Sequence, residues 1–227
     1  MARSGMASDW TIEQHRGTAA EHIARPAPAG RTVRRLEMVR PVLLLGSSQP
    51  AGDVDEAATI RAGVEVARRR SGGGAVLLAS GQASWWDVFI PAGDRLWQTD
   101  VGRAFHWLGQ AWAEALGSIG LAATWYDGPM RHTPWSRRVC FAGLGPGEVL
   151  VDGRKAVGLS QRRTRTTTLF QCCVMLRWDP RAILELLALQ AAERAEAART
   201  LAGVAVGIGA DREPAVHAAF LAALAER

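Results

Sequence analysis

The chain has 227 residues, 48% of them apolar, which is enough for one domain with a substantial core and excludes a disordered protein. Its net charge is +5, but the arginines are spread along the chain rather than gathered in a nucleic-acid-binding motif, so an acidic protein partner is expected and a nucleic acid is not. No apolar run approaches the roughly 18 residues that span a bilayer, the stretch from Met1 to Gln14 lacks a secretory apolar segment, and three cysteines make a poor disulfide framework. No membrane association and a cytoplasmic location are expected.

Taken in chain order, residues 1–31 read as an irregular N-terminal segment, with Pro26, Pro28 and Gly30 following a short strand near Trp10. Two β-type runs follow, Thr32 to Met38 and Pro41 to Leu45, and Gly46-Ser47-Ser48-Gln49-Pro50 breaks the chain. Asp53 to Ala62 predicts a helix with acidic residues in its first turn, ended by Gly63. Strands are predicted at 64–67, 75–78 and 86–90. Between the first two lies Arg68-Arg69-Arg70-Ser71-Gly72-Gly73-Gly74. Asp100 to Leu116 carries Val101, Ala104, Phe105, Leu108, Trp112 and Ala115 at helical spacing. Strands are then expected at 121–125, 138–141, 148–151 and 155–162, the last two joined by an Asp152-Gly153 turn. A long β-rich run covers 166–178. Asp179 caps a helix that opens on Pro180 and runs to about Ala198, and a last helix covers Pro214 to Ala225. This pattern predicts an α/β (α+β) fold, a mixed β-sheet layered with helices, in a single domain over 32–227 that ends in two helices.

Two stretches carry potential chemistry. Three consecutive glycines, Gly72, Gly73 and Gly74, let backbone N–H groups point into one concavity that suits a phosphate or an acyl carbonyl. Arg69 and Arg70 add charge and bidentate geometry, although the same residues also fit a flexible hairpin. The second stretch is Cys140 to Gln161. Of 27 basic residues 26 are arginine, and the one lysine, Lys155, opens a hairpin strand with Gly158 three residues on. A lysine is a compact point charge that reaches a single oxygen in a narrow pocket, where a guanidinium does not fit. A surface lysine beside a turn is the plainer alternative. Cys172-Cys173 makes no metal site, because adjacent strand side chains face opposite ways and no partner lies at zinc spacing. One of Trp85 and Trp86 must face inward, and Trp86 is taken as lining an acyl pocket.

Together these motifs resemble the lipoate–protein ligases and the related octanoyltransferases of the biotin/lipoate ligase superfamily. Arg69-Arg70-Ser71-Gly72-Gly73-Gly74-Ala75-Val76 is similar to the family's glycine motif. Gly153-Arg154-Lys155 through Gly158 and Gln161 is similar to its lysine motif, and Gly46-Ser47-Ser48-Gln49 to its early strand-end motif. The similarity runs from about residue 32 to 185, in the family's order. It implies the family's catalytic-domain fold and transfer of a lipoyl or octanoyl group to the lysine of a lipoyl domain, on a 2-oxoacid dehydrogenase or a glycine-cleavage protein. Lipoate or octanoate would be substrate, with ATP and Mg in the ligase chemistry or an acyl carrier protein as thioester donor. Arg69 to Ala75, Gly158 and Gln161 would bind substrate, and Lys155 would hold the acyl carbonyl. One octanoyltransferase branch places its nucleophile in a Cys-Phe segment eight residues before an acidic residue, itself seven before the lysine. Cys140, Glu148 and Lys155 keep that spacing and imply Cys140 as nucleophile. The family's aromatic or His followed by Asp is replaced by Leu77-Leu78-Ala79, and its His-Gly after Gln171 by Cys172-Cys173. These departures leave a non-catalytic acyl- or adenylate-binding homologue as the alternative.

Overall fold

The computed structural model describes residues 9–227. Its elements are β1 (Thr11–Gly17), α1 (Ala19–Ala24), β2 (Thr32–Met38), β3 (Val42–Leu45), α2 (Glu56–Ala62), β4 (Glu65–Arg68), β5 (Val76–Leu78), β6 (Ala83–Pro91), α3 (His106–Ser118), β7 (Ala123–Trp125), β8 (Val149–Val151), β9 (Arg154–Arg163), β10 (Thr167–Met175), α4 (Pro180–Leu184), α5 (Ala191–Leu201) and α6 (Glu213–Ala225). A mixed seven-stranded sheet runs β1-β2-β6-β10-β9-β8-β7, and a second sheet runs β4-β3-β5. The layered α/β expectation therefore holds. The central strands β6 and β10 are buried along nearly their whole length, as happens when both faces of a sheet are covered.

Alternation along those strands divides the chemistry. Trp86, Val88 and Ile90 of β6, with Phe170, Cys172 and Val174 of β10, pack on α3 and α6, where Trp112 and Phe220 stack. Trp85 of β6, with Cys173 and Met175 of β10, faces the opposite way, onto Val42, Leu44, Val76 and Leu78 of the small sheet. Leu43 and Leu45 then turn outward onto α4 and α5. The large sheet thus has a helix-covered face and a second face that meets the small sheet and the glycine loop.

Five expectations need correction. The helix expected from Asp100 begins at His106, after a 3₁₀ turn at Arg103–Phe105. The segment 1–31 is not irregular where it is described: β1 pairs in parallel with β2 over seven residues, and α1 is closed by a Thr18–Glu21 capping box. Residues 1–8 lie outside the described residues. β1 is a half-exposed edge strand with polar residues, so it lacks the apolar alternation that marks a strand. The helix expected over 53–62 begins at Glu56, after a 3₁₀ turn at Ala51–Asp53, because Asp55 supplies the cap. Residues 138–141 form no strand. Val139 makes a single bridge to Ala75, and Cys140–Ala142 close into a 3₁₀ turn. The helix expected over 180–198 breaks between α4 and α5, which lets Leu186, Leu187 and Leu189 all bury where one helical stripe would expose some of them. Leu187 bridges Val54, and Arg194 donates to the freed carbonyls of Leu184 and Leu189 at 3.2 Å each. A second box, Gln190 with Glu193, restarts the helix.

Candidate active site

The glycine loop leaves β4 and is held from within. Arg69, buried, donates through Nη2 to the carbonyls of Gly72 (2.7 Å) and Gly74 (3.0 Å), so its guanidinium staples the loop. Ser47 N–H donates to Ser71 O at 2.9 Å, backing the loop against the end of β3. Gly46 is needed there, because a Cβ on it would run into the carbonyl oxygen of Gly73, which itself takes φ +101°. Gly46→Ala should therefore displace the loop and destabilise the fold by about 1–3 kcal/mol. The measurement is the urea midpoint, and an unchanged midpoint would show that the close approach relaxes freely.

Lys155 sits at the centre of the site and is only 3% exposed. Its ammonium pairs with Glu148 Oε1 at 2.7 Å and donates to Gly143 O at 2.9 Å and Cys140 O at 3.1 Å. It also lies 4.9 Å from the centre of the Phe141 ring. Gly158 makes room for it: a Cβ there would stand 3.4 Å from Lys155 Cε and 3.3 Å from Phe141. The surface-lysine alternative is thus excluded. The ammonium was expected to reach outward to a substrate carbonyl; instead all three of its donors are engaged by the protein. Glu148 is correspondingly well held, accepting also from Gly145 N at 2.7 Å and Leu159 N at 3.2 Å.

Cys140 lies between the two motifs. Its N–H donates to Ala75 O at 3.0 Å, its carbonyl receives Lys155, and its Sγ lies 3.8 Å from Arg69 Nη2. A Cβ on Gly73 would be 3.9 Å from that sulfur. Of the three free cysteines it alone is half-buried. Cys172 and Cys173 are enclosed, and burial pushes both thiols far above their ordinary range.

Beside the loop lies a narrow, partly open cleft, with Leu36, Leu44, Trp85 and Phe89 among its apolar walls and Arg34 and Asp87 among its charged ones. Trp85 lines it, so the assignment of Trp86 to an acyl pocket is corrected. Trp86 points through the other face of β6, with the ring centres of Trp112 and Phe220 at 6.1 and 5.5 Å. Arg70 also lines the cleft and donates to Ile23 O. Ser71 hydrogen-bonds Ser160 (2.8 Å) and Gln171 (2.7 Å). Gln161 is half-buried and donates to Val101 O at 2.6 Å, and it does not line this cleft. Asp87 was not foreseen. Burial pushes its carboxyl up to about 6, against bonds from Gln171 and Trp85 and the charges of Arg34 and Arg70. The available signal was a lone acid inside the apolar run Trp85-Trp86-Asp87-Val88-Phe89. Among the described residues no cluster of His, Cys, Asp and Glu is arranged to hold a metal ion.

The mixed sheet layered with helices is the catalytic-domain fold of lipoate ligases. The chain belongs to the lipoyl protein ligase A/B catalytic domain family, whose model matches residues 15–208. In fold it is similar to the bipartite lipoate protein ligase of Thermoplasma acidophilum, studied with its E2 lipoyl domain (TM-score 0.76, 16% identity, 97% of this chain and 84% of that one). It is also similar to a T. acidophilum protein assigned as a lipoate protein ligase with bound lipoic acid (TM-score 0.71, 17% identity, 97% and 86%). A third similar structure is a lipoate-protein ligase A bound with ATP (TM-score 0.67, 19% identity, 97% and 85%). No curated protein matches the sequence.

Proposed function

We propose that this chain transfers a lipoyl or octanoyl group to the acceptor lysine of a lipoyl domain. The observation that carries the proposal is the joining of the two motifs. The turn Cys140–Gly143, fixed by the Lys155 ammonium, bonds directly to the last residue of the glycine loop through Cys140 N–H and Ala75 O. On this reading Arg69, 3.8 Å from Cys140 Sγ, supplies the positive charge where an acyl carbonyl gains negative charge on attack, and Lys155 fixes the turn that carries Cys140. Similar structures described with lipoic acid, with ATP and with an E2 lipoyl domain support the same choice of substrate, co-substrate and acceptor. Exposed Arg103, Arg162 and Arg165 suit an acidic acceptor domain. Arg162 lies within 3.4 Å of Arg70 O.

Two donors fit this centre. With an acyl carrier thioester, Cys140 Sγ adds to the acyl carbonyl, the carrier thiol leaves with a proton, and the acceptor amine then displaces Sγ to give the amide. With free acid, the carboxylate attacks the α-phosphorus of ATP and pyrophosphate leaves, and the acceptor amine then displaces AMP from the acyl-adenylate, losing a proton as the amide forms. Incubation with an apo lipoyl domain and either donor, read by the mass of the acceptor, tests the proposal; no adduct from either donor with folded protein overturns it. Cys140→Ser should reduce carrier-dependent transfer at least about 100-fold and leave ATP-dependent transfer standing. Equal transfer from the carrier would remove Cys140 from the mechanism.

A second reading is a non-catalytic acyl- or adenylate-binding protein. It is favoured by the full engagement of the Lys155 ammonium, which leaves no free donor for a substrate oxygen. Calorimetry that finds octanoate or ATP bound by a protein with no turnover would select it.

A further inference from the structure

The second face of the large sheet carries a row of polar residues, one per strand, set side by side by the register. Glu13 of β1 is opposite Arg34 of β2, Arg34 opposite Asp87 of β6, Asp87 opposite Gln171 of β10, and Gln171 opposite Ser160 of β9. Arg34, Asp87 and Gln171 are buried. A one-residue slip in any strand would turn its member of the row to the other face, so the row is as firmly set as the sheet itself.

The row ends at the glycine loop, and its hydrogen bonds have a direction. Asp87 Oδ1 accepts from Trp85 Nε1 (3.0 Å) and from Gln171 Nε2 (3.2 Å). With its amide nitrogen drawn to Asp87, Gln171 presents Oε1 to the loop, where Ser71 donates to it at 2.7 Å. Ser71 has one hydroxyl hydrogen, so at 2.8 Å it can only accept from Ser160. Ser160 in turn accepts from Arg69 Nη1 at 3.4 Å, and Arg69 staples Gly72 and Gly74. Without an acceptor at position 87 the Gln171 amide is free to turn its N–H₂ toward Ser71, and the proton order of the chain is lost.

We propose that Asp87 is a positioning residue: acting through Gln171 and Ser71, it holds the glycine loop in its substrate-ready shape. The requirement is for an acceptor at Oδ1, not for a charge, since both bonds end on that one oxygen. An asparagine keeps that oxygen and an alanine does not. The link to catalysis rests on the acyl-transfer function proposed above; the link to loop order does not.

The test is amide hydrogen exchange on the full chain. Asp87→Ala should speed exchange over residues 69–76 by about tenfold, the effect of one lost buried hydrogen bond, with β8 unchanged. Asp87→Asn should restore protection to within about threefold. In the acyl-transfer assay Asp87→Ala should lower kcat/KM by about 10- to 100-fold, and Asp87→Asn should recover most of that loss. Wild-type protection of the loop in Asp87→Ala, or equal loosening in both variants, overturns the proposal. Should Asp87→Ala fail to fold, Ser71→Ala cuts the same chain at its other end. It should loosen 69–76 while β6 and β10 stay protected, and an unchanged loop overturns the proposal. A wild-type protein that transfers no acyl group would refute the proposed function and leave the exchange result to decide this one.

Discussion

Replacing Lys155 with methionine should destabilise the protein by about 3–5 kcal/mol and abolish acyl transfer. The stability effect comes from what is left behind. Glu148 is 4% exposed, and its Oε1 loses a 2.7 Å partner, while the carbonyls of Cys140 and Gly143 lose their shared donor. A buried carboxylate stripped of its cation is far costlier than the pair is valuable. Lys155→Met combined with Glu148→Gln removes that charge and should recover much of the stability, as read from urea unfolding, without recovering activity. Recovery of both would mean that the lysine is structural only. Lys155→Arg should fail too. The ammonium is already ringed by Glu148, the carbonyls of Cys140 and Gly143 and the Phe141 ring, so a planar fork has no room. This accounts for the one lysine in a chain that otherwise uses arginine.

The second large effect is a dependence of stability on pH through Asp87. Its folded value is about 6, against an ordinary 3.8, because burial penalises the charged form. The folded state therefore holds the proton more tightly than the unfolded one. The stability this contributes is fully present below about 3.8 and is lost as pH rises through about 6. Two pKa units correspond to about 3 kcal/mol. The groups facing Asp87 are Arg34 from β2, Gln171 from β10, Trp85 from its own strand and Arg70 from the loop after β4, with His22 of α1 lining the same cleft. Burial lowers the His22 pKa, so that histidine contributes in the opposite sense over part of the same range. A difference measurement separates the two. Asp87→Asn keeps every other group and should gain about 2–3 kcal/mol relative to wild type between pH 4.5 and pH 7.5. Parallel unfolding curves for the two proteins across that range would show that the carboxylate is solvated through the cleft.

Much of this site can be read locally, because its signals are residues with properties no other residue has. Three glycines soon after three arginines, and one lysine beside a hairpin turn, announce bare backbone and a compact cation wherever the chain goes. The Asp152-Gly153 turn is equally local: both residues take positive φ, +50° and +73°. The same holds for the strands around the motifs, whose β-branched and aromatic runs suit a buried sheet.

What only the tertiary structure decided has one physical cause, the two-residue period of a strand. It guarantees that Trp85 and Trp86 face opposite ways but not which of them meets the cleft, since both faces of β6 are covered and both side chains are buried. Asp87 looks like a lone acid in an apolar run until register sets it beside Arg34 and Gln171. The contact between Cys140 and the glycine loop joins residues more than sixty positions apart, and no local pattern encodes it. In the same way the break between α4 and α5 follows from the need to bury Leu186, Leu187 and Leu189 together against residues near Val54. Which residues could do chemistry was a property of the chain; which of them stand together was settled by packing, because burial rewards contacts whose partners are remote in sequence.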